Sequence, residues 1–352
     1  MPAKRHHYVP RVLLRRFSSD PLADNPPLWK LDKETGKPVQ TSVNSETVIN
    51  DYYRLEQSSL RPTFVEETLS AIEGEAAEPI RRLADGEGLT PLERLNMAMF
   101  LHVQRQRTPL GRKWSAYLYA RASQVEMEVK LQDPKFVRET WESLDEKMSE
   151  DEIELWRLET LADLQSGRLT VEATQDHEVG GIFFVATDIA PIIAGQMTWL
   201  SLRAPRGSAF ICPDHPVHIY SKEAPSGWGV GWTSAGAEAT MPIDERICLM
   251  LKPGPPTWEL RRVNAAMVRE INLRAYASAQ WSLYGSSRQT VQDVGTDAKR
   301  NRARVAEFQP RSPRFVLFES VEGENEPRRT TVYQPPKGRP ERRPKSRSAG
   351  SR

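Results

Sequence analysis

Apolar residues in the first half of the chain recur at helical spacing. From Val65 to Leu83 they return every three or four positions, and Thr63 with Glu66 forms the sequence pattern of a capping box. The same spacing continues over three later segments that we predict as helices, 110–131, 136–148 and 149–164. The pattern therefore predicts a predominantly helical N-terminal half.

A further helix is predicted between Thr90 and Pro109. Proline at position 91 suits the first helical turn, where its missing amide costs no hydrogen bond, and the Thr90 hydroxyl can cap exposed amides. Residues 97–101 form an unbroken apolar run, so apolar side chains cover most of the circumference of this helix. We therefore expect it to lie at the centre of the fold.

Short segments bounded by glycine or proline predict strands. Residues 28–31 and Val39 flank a turn that contains Gly36, as in a hairpin. Beyond Gly181 the helical pattern stops. The segments predicted as strands there are 198–202, 209–212, 239–241, 247–251 and 258–260. These strands predict a small sheet in the second half of the chain.

The last periodic segment predicts a long helix. Asn264 can cap its start, and apolar positions with Asn272 make one inward stripe that continues to about Tyr284. The predicted fold class is therefore α+β, with a predominantly helical N-terminal half, a small, mainly antiparallel sheet and a long C-terminal helix.

The composition excludes several classes of protein. The mean hydropathy is −0.59 and no apolar run approaches the roughly 20 residues that cross a bilayer, so we expect no membrane insertion. The two cysteines, Cys212 and Cys248, are too few for a disulfide framework, which favours a cytoplasmic location. The arginine-rich N-terminus is unlike a secretory signal, and we expect it to remain in the mature protein. Nothing in the composition specifies a cofactor or an oligomeric state.

The charge is distributed unevenly along the chain. The whole chain has a formal net charge of +2, yet residues 327–352 include nine Lys or Arg residues and one Glu. This segment has too few apolar residues to form a core. We predict a single compact body, 1–322, followed by a basic, Pro/Arg-rich disordered tail, 323–352. The tail is interpreted either as a nucleic-acid contact or as a solubilising extension.

Polar residues that can carry chemistry are concentrated in three short motifs. In chain order these are HYVP at 7–10 with Leu14, Arg15 and Phe17, QRQRTP at 104–109, and FICPDHPV at 210–217, followed by Met241-Pro242-Ile243 and the helix of Asn272. Together they resemble a widespread, uncharacterised bacterial family, the domain-of-unknown-function family forty-two thirty-eight, whose members open with His-Tyr-Val-Pro. The resemblance covers most of the predicted body and implies no established reaction.

This chain departs from the family pattern at two places. Arg11 stands where the family usually has Gln, and Cys212-Pro213 stands where Thr-Ser commonly precedes the aspartate, whereas Asp214 itself is kept. If those hydroxyl groups position a ligand in relatives, the binding geometry differs here. The resemblance also implies that polar residues from distant segments converge in the fold.

We predict that polar motif residues form a shared site for a phosphate-containing substrate. His7 and Asp214 are the candidate catalytic residues, because imidazole and carboxylate groups can transfer protons. The candidate substrate-binding residues are Arg15, Gln104, Arg107 and Asn272. The arginines would neutralise phosphate charge, and the amides would fix its orientation. Asp214, His215 and His218 share one loop, but this set is too small to assign a metal site.

Each of these assignments has a structural alternative. Gln104 and Arg107 can belong to a buried polar network, because an unsatisfied buried group costs about 1–3 kcal/mol. Asn272 can satisfy a neighbouring backbone group, and Asp214 can accept hydrogen bonds from local backbone amides. Sequence spacing alone does not choose between these roles and a ligand site.

Three functions stay open. The first is hydrolysis of a phosphate-containing substrate, such as a phosphodiester in nucleic acid. The second is noncatalytic binding of an anion or of nucleic acid, and the third is a folding framework without ligand. The sequence has no Gly-rich Walker loop, no dinucleotide fingerprint and no Gly-x-Ser-x-Gly elbow, and the residues after His7 lack the rest of an HNH nuclease motif.

Overall fold

A computed structural model of the chain shows an α+β protein. The described residues are 5–55, 61, 63–143, 148–222 and 229–301, together with the backbone of 315–319 and 328–333. The chain divides into two compact units, Met1–Tyr119 with Ala173–Pro310 and Ala120–Glu172 with Arg311–Arg352.

The helices and strands follow one another in this order. The first unit begins with β1 (Arg5–His7), α1 (Arg11–Leu14), a 3₁₀ turn (Arg15–Phe17), β2 (Pro27–Asp32), β3 (Pro38–Ser42), β4 (Val48–Asn50), α2 (Phe64–Asp85), α3 (Pro91–Arg107) and the first part of α4 (Pro109–Leu131). The second unit contains the remainder of α4, α5 (Pro134–Ser143) and α6 (Glu150–Ser166). The first unit then resumes with α7 (Gln175–Gly180), α8 (Ala186–Gly195), β5 (Met197–Arg203), β6 (Cys212–Pro213), β7 (His218–Tyr220), β8 (Glu238–Pro242), β9 (Ile247–Pro253), β10 (Trp258–Arg262), α9 (Ala265–Ser278), β11 (Ser282–Gly285) and α10 (Arg288–Arg300). Finally, β12 (Phe315–Glu319) and β13 (Arg328–Tyr333) pair antiparallel in the second unit.

Three sheets organise the strands of the first unit. One has five strands in the order β10-β5-β9-β8-β7 and is mixed, because β10 runs parallel to β5 while its other pairs are antiparallel. The second has four antiparallel strands in the order β3-β2-β11-β6. The third is the antiparallel pair β1-β4. The predicted hairpin is confirmed as β2-β3, and Gly36 adopts a positive φ of 66° in its turn.

The prediction of one small, mainly antiparallel sheet and a long C-terminal helix was wrong. The predicted helix ends at Ser278 because Ala279 adopts an extended conformation, and residues 282–285 form the strand β11 inside the four-stranded sheet. Leu283 fits the helical stripe, but its buried side chain belongs to that strand. The N-terminal half was also incompletely predicted, because β1 to β4 precede its first long helix.

The helix starts show which capping predictions hold. At α3, Thr90 Oγ1 accepts from the Glu93 amide at 3.3 Å and Glu93 Oε2 accepts from the Thr90 amide at 2.7 Å, so the predicted cap is a complete capping box. The box predicted at Thr63 does not form. Thr63 already has helical backbone angles, and its hydroxyl donates to Glu67 instead.

The helix α3 occupies the central position that its apolar run predicts. Met97, Phe100, Leu101 and Val103 are all at most 1% exposed, and α3 packs against both α2 and α8. Burying each such side chain contributes about 1.5–3 kcal/mol of transfer free energy. This helix therefore provides a rigid support for the polar residues at its C-terminal end.

Two further predictions concern the chain as a whole. Among the described residues, no helix has both the length and the apolar character of a membrane span. The predicted tail, 323–352, lies mostly outside the described residues, and within it the backbone of 328–333 forms β13. The cytoplasmic location and the single body 1–322 stay predictions.

Candidate functional site

Hydrogen bonds join the N-terminal motif to the end of α3. Gln104 Nε2 donates to the backbone oxygen of Tyr8 at 3.0 Å, and Arg107 Nη2 donates to the backbone oxygen of His7 at 2.7 Å. The strand β1 is fixed from its other side by pairing with β4. The first two motifs, about 100 positions apart in the sequence, therefore form one structural unit.

Arg107 is held by a closed set of partners. Its Nη1 lies 2.6 Å from Glu73 Oε1, its Nε donates to the Tyr53 hydroxyl at 3.1 Å, and its Nη2 binds His7 as described. The side chain is only 3% exposed. All three nitrogens of the guanidinium are thus engaged inside the protein, as in a buried polar network.

The third motif meets the second through a short side-chain contact. Thr108 Oγ1 and His215 Nδ1 lie 2.6 Å apart, with both residues buried. The Tyr8 ring of the first motif also contacts the Trp281 ring edge-on, at a centroid distance of 6.5 Å. The backbone amide of Trp281 in turn binds Asp214. All three motifs therefore converge in the first unit.

Asp214 uses both carboxylate oxygens on backbone amides. Oδ1 accepts from the Gln280 amide at 2.7 Å, and Oδ2 accepts from the amides of Trp281 at 2.7 Å and Ser282 at 3.0 Å. Burial raises the pKa of Asp214 to about 6, although these amides and nearby Lys33 act in the opposite direction. The carboxylate fixes the turn that leads from α9 into β11.

Replacement of Asp214 by alanine is expected to lower the free energy of unfolding by about 2–4 kcal/mol at pH 7, because three amide donors lose their acceptor. Hydrogen exchange should accelerate at the amides of Gln280, Trp281 and Ser282. Asp20→Ala is a matched control, since exposed Asp20 caps only the Leu22 amide, at 3.3 Å. Unchanged exchange at all three amides would contradict this role of Asp214.

The other candidate residues divide into two groups. Asn272 Oδ1 accepts from the Ile211 amide at 3.2 Å and its Nδ2 donates to the Ala209 oxygen at 2.9 Å, so it orders the segment before Asp214. The Arg15 side chain is partly exposed and forms no hydrogen bond or ion pair with a described residue. His7, Gln104, Arg107 and Asp214 are linked through their neighbours, whereas neither Asn272 nor Arg15 joins that network directly.

His7 has an unusual electrostatic environment. It is partly exposed, and its Nδ1 is buried without a hydrogen-bond partner among the described residues. Burial, together with the charges of Arg11, Arg5 and Arg107, lowers the pKa of His7 to about 4, against a hydrogen bond with the Glu46 backbone. The imidazole is therefore neutral at physiological pH and lies among positive charges.

A family model described as a protein of unknown function (DUF4238) matches residues 5–289, a range that contains all three motifs. The chain belongs to this family. No curated protein and no solved structure matches the chain. The family assignment confirms the resemblance found in the sequence and adds no reaction to it.

In this member of the family, Arg105 and His218 stand out, although Arg105 was assigned no role from the sequence and His218 was considered only in a loop set too small to assign a metal site. Neither Arg105 Nε nor His218 Nε2 has a partner among the described residues, and both atoms are buried. Arg105 lies inside the second motif, which was the only sequence signal for it. The described residues contain no cluster of three or more His, Cys, Asp or Glu side chains that could hold a metal.

Proposed function

We propose that the protein binds a phosphate-containing anion at the surface of its N-terminal motif. The observation that supports this most directly is a group of cations, Arg5 and Arg11 near His7 and Arg15 one helical turn after Arg11, that forms no ion pair with a described carboxylate. Arg11 and Arg15 lie four positions apart on continuous helical backbone and so share one face. This surface is called the N-terminal cation surface below.

The chemistry of these side chains suits phosphate. Each guanidinium presents two parallel N–H groups to a pair of phosphate oxygens, and it keeps its charge at any physiological pH. Arg5 and Arg11 are exposed and Arg15 is partly exposed, so a ligand can reach them; among the described residues their guanidinium groups make one hydrogen bond, from Arg5 Nη2 to the Asn44 backbone oxygen at 3.0 Å. The neutral His7 imidazole can donate a further hydrogen bond.

Hydrolysis of a phosphodiester is the second candidate, and His7 is the residue that favours it. A neutral imidazole beside bound phosphate can accept a proton from an attacking water. Asp214, the other residue predicted to carry protons, supports this candidate less, because backbone amides occupy both of its oxygens. Binding without turnover is therefore the function proposed first.

The double variant R11Q/R15Q is expected to bind pyrophosphate at least tenfold more weakly than the wild type in isothermal titration calorimetry, because two charged phosphate contacts are lost. R81Q/K130Q is a matched control that removes two exposed cations which already pair with acidic neighbours. Equal affinity in R11Q/R15Q and wild type would reject the proposed surface.

Turnover is tested separately with bis(p-nitrophenyl) phosphate. If the wild type hydrolyses this substrate and H7Q does not, while H7Q keeps its affinity for pyrophosphate, the result would favour hydrolysis over binding without turnover. The binding proposal predicts no His7-dependent release of nitrophenol. Salt titration of the pyrophosphate affinity, repeated after deletion of 323–352, measures any contribution of the tail.

A further inference from the structure

No described carboxylate pairs with the positive charge of Arg105. Its side chain is partly exposed, its Nε is buried without a partner among the described residues, and its guanidinium lies 5.1 Å from the centroid of the Trp114 ring. No hydrogen bond or ion pair of its guanidinium to a described residue is present. Burial lowers the pKa of Arg105 to about 10, which reflects a partly dehydrated cation.

Other buried arginines of this protein have hydrogen-bond or ion-pair partners for their guanidinium groups. Arg107 and Arg112 each pair with a glutamate and donate to a backbone oxygen, and Arg157 does the same in the second unit. Arg94 donates to the backbone oxygens of Met197, Pro256 and Thr257. Arg105 departs from this pattern, since among the described residues its guanidinium contacts only an aromatic face, that of Trp114.

Two buried histidines lie beside Arg105. His215 is fixed by Thr108, whose hydroxyl also lies 3.3 Å from the backbone oxygen of Arg105. His218 is 8% exposed, and its Nε2 has no hydrogen-bond partner in the part of the chain that the structure describes. Burial lowers the pKa of both histidines, that of His218 to about 3, and the Arg105 charge lowers both further. The cluster therefore combines an uncompensated guanidinium with a neutral imidazole that has an unused nitrogen.

We propose that Arg105, His215 and His218 form an anion site, separate from the N-terminal cation surface, for a compact oxyanion of the phosphate type. The guanidinium supplies charge and paired N–H donors, and a neutral imidazole can donate through Nε2. Among the described residues, no carboxylate pairs with Arg105, so none competes with an anion for it. Such a site gives a function to a cation that pairs with no described carboxylate.

Calorimetric titration of the full-length chain with inorganic phosphate tests this site. The wild type is expected to bind phosphate, R105Q to bind at least tenfold more weakly, and R105K to bind with intermediate affinity, because lysine keeps the charge but not the paired donors. His218 ring resonances should shift with phosphate in the wild type and stay unchanged in R105Q. Phosphate affinity of R105Q equal to that of the wild type would overturn the proposal.

The N-terminal variant separates the two sites. R11Q/R15Q is expected to keep the phosphate-induced shift of the His218 resonances, whereas R105Q should keep pyrophosphate binding at the N-terminal cation surface. Each proposal can therefore fail alone. If R11Q/R15Q abolished the His218 shift while R105Q retained it, the interior site would be rejected and the surface site would stand.

Thermal unfolding shows whether Arg105 has only a structural role. Without phosphate, R105Q is expected to unfold at the same temperature as the wild type or higher, because an unpaired, partly dehydrated charge is removed. Phosphate should raise the Tm of the wild type more than that of R105Q, which keeps only the N-terminal cation surface. A lower Tm of R105Q without phosphate, together with unchanged phosphate affinity, would assign Arg105 to packing on Trp114 and overturn the proposal.

Discussion

Replacing Arg107 with alanine is expected to lower the free energy of unfolding by about 3–5 kcal/mol, because it removes one partner of a buried ion pair. Glu73 would lose its cation, and the Tyr53 hydroxyl and the His7 backbone oxygen would lose a donor. Urea unfolding at pH 7 measures the loss. The same change should loosen β1, which amide hydrogen exchange in residues 5–9 would detect.

Arg81→Ala is the control for Arg107→Ala. Arg81 also pairs with two carboxylates, Glu78 and Asp85, but its side chain is 51% exposed and water replaces the lost contacts. Its substitution should cost far less than that of Arg107. Equal losses in the two variants would show that the network around Arg107 does not hold the motifs together.

Acidification from pH 6.5 to 5 is expected to destabilise the protein by several kcal/mol. Burial lowers the pKa of His102 to about 4 and that of His218 to about 3, and it lowers the pKa of His215 well below the usual value. The unfolded chain therefore takes up protons first as the pH falls below 6.5. The stability that each neutral histidine contributes is complete above pH 6.5 and decreases by about 1.4 kcal/mol per pH unit below it.

Asp214 acts in the opposite direction. Its folded pKa is raised to about 6, so between pH 6 and about 4 the folded state holds a proton that the unfolded state has released. The stabilisation from Asp214 on acidification therefore offsets the destabilisation from roughly one buried histidine. Urea unfolding at pH 7, 6 and 5 measures the net slope, and H102F should flatten it while H177N, at an exposed position, should not. A wild-type slope no steeper than that of H102F would contradict the account.

Structural features that depend on neighbouring residues were predicted better than those that depend on contacts between distant segments. The helix cap at Thr90, the central position of α3 and the hairpin around Gly36 depend on neighbouring residues and were confirmed, although the capping box at Thr63 was not. The prediction of a long C-terminal helix was wrong because residues 282–285 form β11 by pairing with β2 and β6, which lie far away in the sequence. Over only four residues, the apolar pattern of a helix cannot be distinguished from that of a short buried strand.

The sequence identified the motifs but not the state of each polar atom. Arg105 and Arg107 stand two positions apart on α3, which turns their side chains about 200° from each other. Arg107 pairs with Glu73, whereas Arg105 has no ionic partner among the described residues. Whether each arginine pairs with a carboxylate depends on residues from α2 and from the loop after β6. The spacing of residues within the motif does not predict the positions of those distant residues.

The central claim is that the paired motif residues hold the fold and the unpaired arginines bind anions. Nitrogen-15 NMR of the arginine Nε–H groups, recorded while inorganic phosphate is added to the full-length chain, tests it most directly. We predict phosphate-dependent shifts for Arg105 and for Arg11 or Arg15, with the Arg107 signal unchanged. Shifts at Arg107, or none at Arg105, Arg11 and Arg15, would contradict the account.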